Sequence, residues 1–475
     1  MFGKLWVWED TEITGITDNS QRISSGHIFI CQKGEKNDGA DYIDEAVKRG
    51  AAVVIADRML ESTVPVIKIK EHELLEKFYL PKGRNFKLIG VTGTNGKTTV
   101  THIIKDMLFA MGRRVGLIGT NGVFLDNEQL ELFSSTPTTP KLCELYNIFS
   151  RLSELGAEYI VMEVSSHALE LNRVSGCEFD VGVFTNLSHD HLDFHKSMEN
   201  YKKAKAKLFA VSRVSVINID DTAGAEIYSN ISAEKISAGL NYADISASAV
   251  SMNSWGSKFI LEYQGKTAPT EIALSGKFNI YNAILAAGAC LGLGFGLTET
   301  AEALSRAKPV RGRMERFKTD ADFDIIIDYA HSPDGLEKVI HTVKGFARGR
   351  VITVFGCGGD RDREKRPIMG EIAGRYSDFT IITSDNPRCE NEMAIISDIY
   401  EGIRKMQGEF IIIPERESAI EYAVRIAKER DIIILAGKGA EDYQIIGQEK
   451  RHFDERKIAE ECIKRKRRGQ CRNSV

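Results

Sequence analysis

The stretch GVTGTNGKTTV, residues 90–100, joins an apolar run (KLIGV) to a helical pattern (VTHIIKDMLFAMG). Glycines let backbone N–H groups curl around phosphate oxygens, and the start of the helix adds its dipole. In that arrangement Lys97 reaches terminal phosphates and the Thr98 hydroxyl suits Mg2+. Val91 stands where the strict G-x-x-x-x-G-K-[ST] pattern has its first glycine, which leaves the tighter loop GTNGKTT. A Gly-Lys-Thr triplet is common in loops; its place between a strand and a helix is what points to a nucleotide.

Two further segments carry acid and metal chemistry. VMEVSSHALELNRV (161–174) puts Glu163 near the end of an apolar run, followed by two serines and a histidine. TNLSHDHLDFH (185–195) carries His189, Asp190, His191, Asp193 and His195. His191 and His195 are four apart, a spacing that on a helix resembles zinc ligands. Downstream of a phosphate loop, Mg2+ held by a carboxylate, a histidine and phosphate oxygens is the better reading. Any one of these histidines alone reads as a polar loop residue. NYKKAKAKLF (200–209) then presents a lysine-rich helical face, whose plain reading is solvated charge.

Farther on, SDNPR (384–388) ends the apolar run FTIIT. Asp, Asn and Pro are ordinary turn residues, and Pro387 stops the strand. Four other apolar runs of the C-terminal third also end in polar or glycine-rich loops: FDIIIDYAHSP, RVITVFGCGGDRD, EFIIIPER and DIIILAGKGAEDYQ. In open α/β sheets, ligands bind beyond the carboxyl ends of the strands. SDNPR is thus expected beside four companions on one sheet edge.

Those loops must be positioned by a larger frame. At 475 residues the chain exceeds what one core organises, so two to four domains are expected. Short apolar runs alternate with one helical pattern up to about residue 85, and EKFYLPKGRN (76–85) reads as a linker. From FKLIGV onward, strands alternate with amphipathic helices, the signature of a parallel sheet covered on both faces. KPVRGRMERF (308–317) reads as a hinge, after which the alternation restarts.

Composition narrows the function classes. A net charge of −4 and a pI near 6.3 give no electrostatic case for nucleic acid. The basic run KRKRR (464–468) reads as a solvated tail. Eight cysteines are scattered with no C-x-x-C pair, which argues against a zinc ribbon or disulfide framework and suits a reducing cytoplasm. The opening MFGKLWVWEDTEITG carries acids where a signal peptide needs apolar residues, and no apolar run approaches the ~20 residues of a membrane span. A soluble cytoplasmic protein is expected.

Taken together, these segments resemble the Mur ligases, the ATP-dependent amide-forming enzymes of peptidoglycan precursor synthesis. The likeness runs through VTGTNGKTT, STPTTP, MEVSSHAL, TNLSHDHLDFH, GKFNIYNA, RGRME, DYAHSPD, FGCGGDRD, DNPR and GKGAEDYQ, in the family's order over nearly the whole chain. It implies three α/β domains: a small UDP-sugar-binding domain (1–85), a central P-loop-type parallel-sheet ATPase domain (86–311) and a Rossmann-like amino-acid-binding domain (312–475). It also implies an acid–amino-acid ligase that uses ATP and Mg2+ and acts through an acyl phosphate.

By the same resemblance, Gly93, Thr94, Asn95, Gly96, Lys97, Thr98 and Thr99 hold ATP phosphates, and Asn282 contacts adenine. Arg313, Asp328 and His331 bind ATP from the hinge and the C-terminal domain. Thr98, Glu163, His191 and a carbamylated Lys205 are implied as Mg2+ ligands, with Lys97, Glu163, His191 and Lys205 the catalytic set. Carbamylation turns a lysine into a carboxylate-like anion, which explains a lysine where a metal ligand is wanted. Ser20, Thr138, Thr139, Ser165 and Arg173 match contacts to UDP-N-acetylmuramoyl-L-Ala-D-Glu, although NSQ (19–21) replaces the family's DSR.

DNPR resembles the members that add meso-diaminopimelate, with Arg361, Asp385, Asn386, Arg388, Gly437 and Glu441 forming the pocket. Diaminopimelate is lysine with a second carboxylate at its far end. Arg388 can grip that carboxylate with a fork and repel the bare ammonium of lysine. The alternatives are the same reaction with L-lysine or another diamino acid, and a non-catalytic binding protein derived from a ligase. The latter predicts damage at Lys97, Glu163, His191 or Lys205, all of which are intact. A monomer without nucleic-acid partners is expected.

Overall fold

Three larger sheets follow one another along the described residues, beside two two-stranded ribbons. The computed structural model describes residues 6–8, 11–31, 38–136, 138–253, 255–317 and 321–469; Pro137 of the TPTTP stretch lies outside them. In the first sheet, strands Gly15–Thr17, His27–Cys31, Ala51–Ala56 and Val66–Lys68 lie in chain order and all run parallel. Helix Glu71–Tyr79 buries Leu74, Leu75 and Phe78 and packs against helix Leu142–Glu154 of the next unit. The first half of the expected linker is therefore helix. Phe78 extends the apolar stripe begun at Leu74 and Leu75, and that stripe carries the helix past the polar residues that suggested a break.

The middle of the second sheet is parallel. Its strands, in spatial order, are Val115–Gly119, Tyr159–Glu163, Lys87–Thr92, Phe179–Phe184, Ser212–Asn218 and Glu234–Ala238. Parallel strands are covered on both faces and so read as continuous apolar runs. Helix Lys97–Ala110 packs on helix Lys277–Gly292, which is buried on every side. Antiparallel strands Ile245–Asn253, Gly256–Tyr263 and Lys266–Ile272 extend one edge.

The third sheet orders its strands Glu315–Phe317, Asp324–Asp328, Ile432–Ala436, Val351–Phe355, Phe379–Ile382 and Glu409–Ile412. All pairings are parallel except that of Glu315–Phe317. The five polar loops noted in the sequence therefore leave one edge, as expected. The basic run near the C-terminus is not simply a solvated tail. Residues 464–467 form the last turn of helix Glu455–Arg467, and Lys466 Nζ donates to Val424 O (2.8 Å) and to Ala427 O. Lysine thus satisfies the orphan carbonyls at the end of helix Arg416–Ile426. Among the described residues, no helix is long and apolar enough to cross a membrane.

An ion pair between half-exposed Arg350 and buried Asp431 ties the central strands of this sheet together. Asp431 accepts from Arg350 N–H (2.8 Å), Arg350 Nη2 (2.7 Å) and Lys428 N–H (2.9 Å). Burial would raise its pKa, but Arg350 and these N–H groups outweigh that and hold it below the ordinary 3.8. A depressed folded-state pKa contributes stability above the unfolded value and loses it as pH falls through the folded one. Asp431→Asn is expected to lower stability by about 2 kcal/mol at pH 7. Urea midpoints for parent and variant should converge as the pH is lowered from 7 to 3.

Candidate active site

The phosphate-type loop is built by steric necessity. Gly93 has φ +149°, and a Cβ there would fall 1.8 Å from Thr185 Oγ1. Gly96 has φ +89°, and a Cβ would fall 2.5 Å from Asn282 Oδ1. The loop is clasped from outside by the first residues of TNLSHDH. Thr185 Oγ1 and Asn186 Nδ2 donate to Asn95 O (2.6 and 3.0 Å), and Asn95 N–H donates to Asn186 Oδ1 (3.0 Å). Lys97 Nζ folds back onto Gly93 O (2.9 Å) and Thr94 O (3.0 Å). Burial lowers its pKa. Thr98 and Thr99 are buried in the helix's first turn, and Asn282 Nδ2 donates to Asn279 Oδ1 (3.0 Å).

Glu163 ends the neighbouring strand, 1% exposed. Its carboxylate accepts from Thr98 Oγ1 (3.0 Å), Thr120 N–H (2.8 Å) and Thr120 Oγ1 (3.2 Å). Thr98 Oγ1 in turn accepts from Arg313 Nη2 at 3.0 Å. Thr138 Oγ1 lies 3.2 Å from Thr120 Oγ1, and Thr139 Oγ1 donates to Glu163 O (3.0 Å). Ser165 N–H donates to Thr139 Oγ1 (3.0 Å), and Ser165 Oγ caps helix Ser166–Glu170. Arg173 Nη1 reaches Thr139 O at 3.5 Å. Thr138, Thr139, Ser165 and Arg173 thus form one network around Glu163. Thr120, which completes it, follows a strand with no motif to mark it.

The histidines divide their work. His191 adopts φ +55°, at the start of the short helix Leu192–His195. Burial pulls it well below the ordinary histidine range despite Asp190, whose Oδ2 is 3.6 Å from His191 Nε2, so the ring is neutral at pH 7. His195 does not join it as a zinc partner. Its Nε2 lies 2.9 Å from Ser166 Oγ, and its ring stacks on Tyr201 at 4.8 Å.

Lys205 is 1% exposed, with Nζ 4.4 Å above the Tyr201 ring. It makes no hydrogen bond or ion pair with any described residue. Burial, with Lys97 nearby, lowers its pKa well below that of an ordinary lysine. Lys202, Lys203 and Lys207, by contrast, pair with Glu226, Glu199 and Glu170 near the surface, as solvated charge should. Tyr201 Oη is 3.2 Å from Thr94 Oγ1, so this ring links Lys205 to the phosphate-type loop.

The carboxyl edges of the second and third sheets face each other. Asn95 Nδ2 donates to Asp334 Oδ2 (2.8 Å), Arg313 reaches Thr98, and His189 Nε2 is 3.2 Å from Asp362 Oδ2. His189, Asp362 and Glu364 lie close enough to share a cation, but His189 is already bonded to Asp362. Asp328 accepts from Met314 N–H (2.6 Å) and Ala330 N–H (2.8 Å), and burial raises its pKa. His331 Nδ1 sits 2.7 Å from Tyr329 O, a pure acceptor, so Nδ1 carries the proton. Burial holds this ring at about 4 and leaves Nε2 a bare acceptor at pH 7.

On the third sheet, the loops at 358–361, 385–388 and 437–441 converge. Arg388, at φ +51°, donates from Nη1 to Gly359 O (2.8 Å). A Cβ on Gly358 would lie 2.8 Å from Arg388 Nη1 and 3.8 Å from Arg361 Cγ, so the two arginines flank that glycine. Asn386 is held by three neighbours. Its Nδ2 donates to Glu441 Oε2 (3.0 Å), and its Oδ1 accepts from Lys438 Nζ and Ile445 N–H, both at 3.0 Å. Gly437 has φ +115°, with Asp385 Oδ2 2.6 Å from where its Cβ would be. That Oδ2 is buried without a hydrogen-bond partner among the described residues, 3.8 Å from Arg416. Burial raises the Glu441 pKa, and Asp385 adds to it. Lys438 and Arg416 were not singled out in the sequence. A strand-terminal Lys in GKGAED was the available signal for the first, and Arg416 carried none.

Ser20 stands apart from all of these, with Oγ donating to Glu45 Oε2 (3.1 Å). Nearby, a cavity of ≈ 200 Å³ opens between the first and second units, lined by Asp18, Arg22, Phe133, Lys141 and Glu144. Arg22 lies 3.3 Å over the Phe133 ring, and Lys141 pairs with Asp18 at 3.1 Å.

Family models match along the chain: "Mur ligase family, catalytic domain" over 12–77, "Mur ligase middle domain" over 91–290, and "Mur ligase, glutamate ligase domain" over 312–439. The chain is 44% identical over 465 residues to UDP-N-acetylmuramoyl-L-alanyl-D-glutamate–2,6-diaminopimelate ligase 1 of Clostridium acetobutylicum, covering 96% of this chain and 95% of that one. It is 41% identical over 479 residues to the ligase of the same name from Geobacillus thermodenitrificans, covering 97% of each. A solved structure with that name superposes with TM-score 0.67 at 30% identity, covering 96% of both chains. The MurF ligase of Thermotoga maritima in complex with ADP shares the fold, with TM-score 0.65 at 18% identity over 97% of this chain and 98% of that one.

The clasp on the phosphate-type loop is open to a direct check. Gly93→Ala is expected to cost about 2–3 kcal/mol in urea unfolding, because the added methyl drives Thr185 off Asn95.

Proposed function

The chain belongs to the Mur ligase family, and we propose that it joins meso-2,6-diaminopimelate to the D-Glu γ-carboxylate of UDP-N-acetylmuramoyl-L-Ala-D-Glu, converting ATP to ADP and phosphate. The observation that carries the choice of amino acid is the pair Arg361 and Arg388 flanking Gly358, with half-buried Glu441 across the same loops. Two cations and one carboxylate complement a tip that bears both a carboxylate and an ammonium. Against lysine, the same arginines would face a bare ammonium and repel it.

A carboxylate does not acylate an amine until its oxygen becomes a leaving group. Transfer of the ATP γ-phosphoryl to the D-Glu carboxylate gives an acyl phosphate. The amine then attacks the acyl carbon, the C–N bond forms, phosphate departs with the C–O electrons, and the amine loses a proton. Lys97 and the N–H groups of Gly93–Thr99 hold the ATP phosphates, with Arg313, Asp328 and His331 approaching from the C-terminal side and Asn282 placed for adenine. His331, neutral with Nε2 open, is a hydrogen-bond acceptor there rather than a charge. Thr138, Thr139, Ser165 and Arg173 seat the dipeptide carboxylates beside Glu163, and Ser20 belongs to the uridine end.

Thr98, Glu163, His191 and Lys205 are the residues that would hold Mg2+, and their state fits. Glu163 has its oxygens ordered by threonines, His191 is neutral, and Lys205 is buried with no ion pair among the described residues. A lysine with so low a pKa is an amine that takes up CO2, forming an N–C bond and releasing a proton to leave the carbamate anion. Mg2+ bound there neutralises charge on the phosphoryl oxygens. The domains are proposed as 1–85 for UDP-sugar, 86–311 for ATP and 312–475 for the amino acid, in a cytoplasmic monomer.

Phosphate release with the UDP-muramoyl-dipeptide should be strong with diaminopimelate and weak with L-lysine; equal or better turnover with lysine would sink the specificity claim. Arg388→Ala should raise the diaminopimelate KM about a hundredfold, as expected for losing a charged fork, and leave the ATP KM nearly unchanged. Lys205→Ala should be inactive, and depleting CO2 and bicarbonate should slow the parent protein but not alter its melting temperature by more than a few degrees.

A further inference from the structure

Arg366 breaks a local rule. It stands in the first turn of helix Lys365–Tyr376, where the helix dipole disfavours a cation, and it is fully buried. Its guanidinium makes a two-pronged contact with Glu390, Nη1 to Oε2 at 3.0 Å and Nη2 to Oε1 at 2.8 Å. Nη1 also donates to Asp398 Oδ2 (2.9 Å), and Nη2 reaches Gly358 O (3.4 Å). Nε has no hydrogen-bond partner among the described residues. Desolvating such a group is costly, and apolar side chains of similar size would stabilise a helix–loop contact as well or better. Packing alone therefore does not account for an arginine here.

What Arg366 touches does account for it. Glu390 is two residues after Arg388, and its carboxylate also accepts the Asp360 N–H. Gly358 O, its other loop contact, belongs to the glycine flanked by Arg361 and Arg388. Arg388 itself occupies the left-handed region, which a residue with a Cβ keeps only when its surroundings hold it. Its N–H donates to Ile445 O (3.1 Å), its O accepts from Gly447 N–H (2.8 Å), and the segment that follows is fixed through Glu390. Arg366 thus staples the loop of Arg361 to the loop of Arg388 from beneath, without reaching the pocket.

We propose that Arg366 is a positioning residue for amino-acid selection, acting through Glu390 to hold Arg388 and Arg361 at the spacing of one carboxylate. This rests on the diaminopimelate reading above. Arg366→Lys keeps the charge and removes the fork, and Glu390→Gln keeps the shape and removes the charge. Both should raise the diaminopimelate KM at least tenfold while the KM for ATP and for the UDP-muramoyl-dipeptide stay within twofold. The ratio of kcat/KM for diaminopimelate over L-lysine should fall at least tenfold. An unchanged ratio, a change in kcat alone, or three KM values rising together would overturn the proposal. Should Arg366→Lys fail to fold, Glu390→Gln, on a side chain 23% exposed, decides it by the same readouts. A parent protein that prefers lysine would instead defeat the diaminopimelate reading, so the two failures are distinct.

Discussion

The carboxylate of Glu163 is the point through which the catalytic half of the molecule is connected. A carboxylate this deeply buried persists only if its lone pairs are met, and here three donors from two strand-end loops meet them. Those donors are the first helical turn after the phosphate-type loop and the turn at Thr120. Its own carbonyl receives Thr139, and Thr98 passes the network on to Arg313 at the start of the third unit. Moving Glu163 would therefore disturb the phosphate-type loop, Thr139 and the contact with Arg313 at once. Gly119 is part of the same constraint, since a Cβ there would sit 2.4 Å from Glu163 Oε1.

The two large sheets explain why such a network can exist. Parallel sheets gather their polar loops at the carboxyl edge, and here two such edges face one another. Under the proposed function, one edge carries the phosphoryl chemistry and the other the amino acid, so the acyl phosphate and its amine meet between the two edges. Among the described residues, the contacts that bridge them include the polar pairs Asn95 with Asp334, Arg313 with Thr98, and His189 with Asp362, and Arg316 lies 3.9 Å over the Trp255 ring. Polar contacts of this kind exchange readily with water.

Much of this was legible in the sequence because the strands are continuous apolar runs and each ends in a loop with unusual residues. The phosphate-type loop, Glu163, and the five loops of the third sheet all follow from that pattern. Lys205 was legible only through resemblance, because spacing alone made it one of four lysines on a solvated face. Tyr201 helps to bury it, approaching from one turn earlier on the same helix. Thr120 and Arg416 were invisible for a related reason. Their roles come from which strand ends are neighbours in space, and strand order is not written in local periodicity. The helix at Glu71–Tyr79 and the anchoring of Lys466 were misread because polar composition suggested solvent where one apolar stripe or one aliphatic stem sufficed.

Electrostatics beneath the amino-acid loops shows how a buried acid can stay charged with one oxygen left open. Burial alone would neutralise Asp385, yet Lys438 and Arg416 outweigh that and hold its pKa below the ordinary value. Neither cation donates a hydrogen bond to its Oδ2. Lys438 is held by Asn386 Oδ1 and Tyr443 O, and Arg416 by Glu455 Oε1 (2.7 Å) and Ala436 O (2.8 Å). They act on Asp385 Oδ2 through their charge, Arg416 at 3.8 Å, and that oxygen has no hydrogen-bond partner among the described residues. Glu441 is pushed the other way, upward, by burial and by Asp385 itself. Two carboxyl groups on one sheet edge are thereby separated in character. Asp385 is held as an anion by the field of its neighbours, whereas Glu441 shares its oxygens with Asn386 and Tyr329.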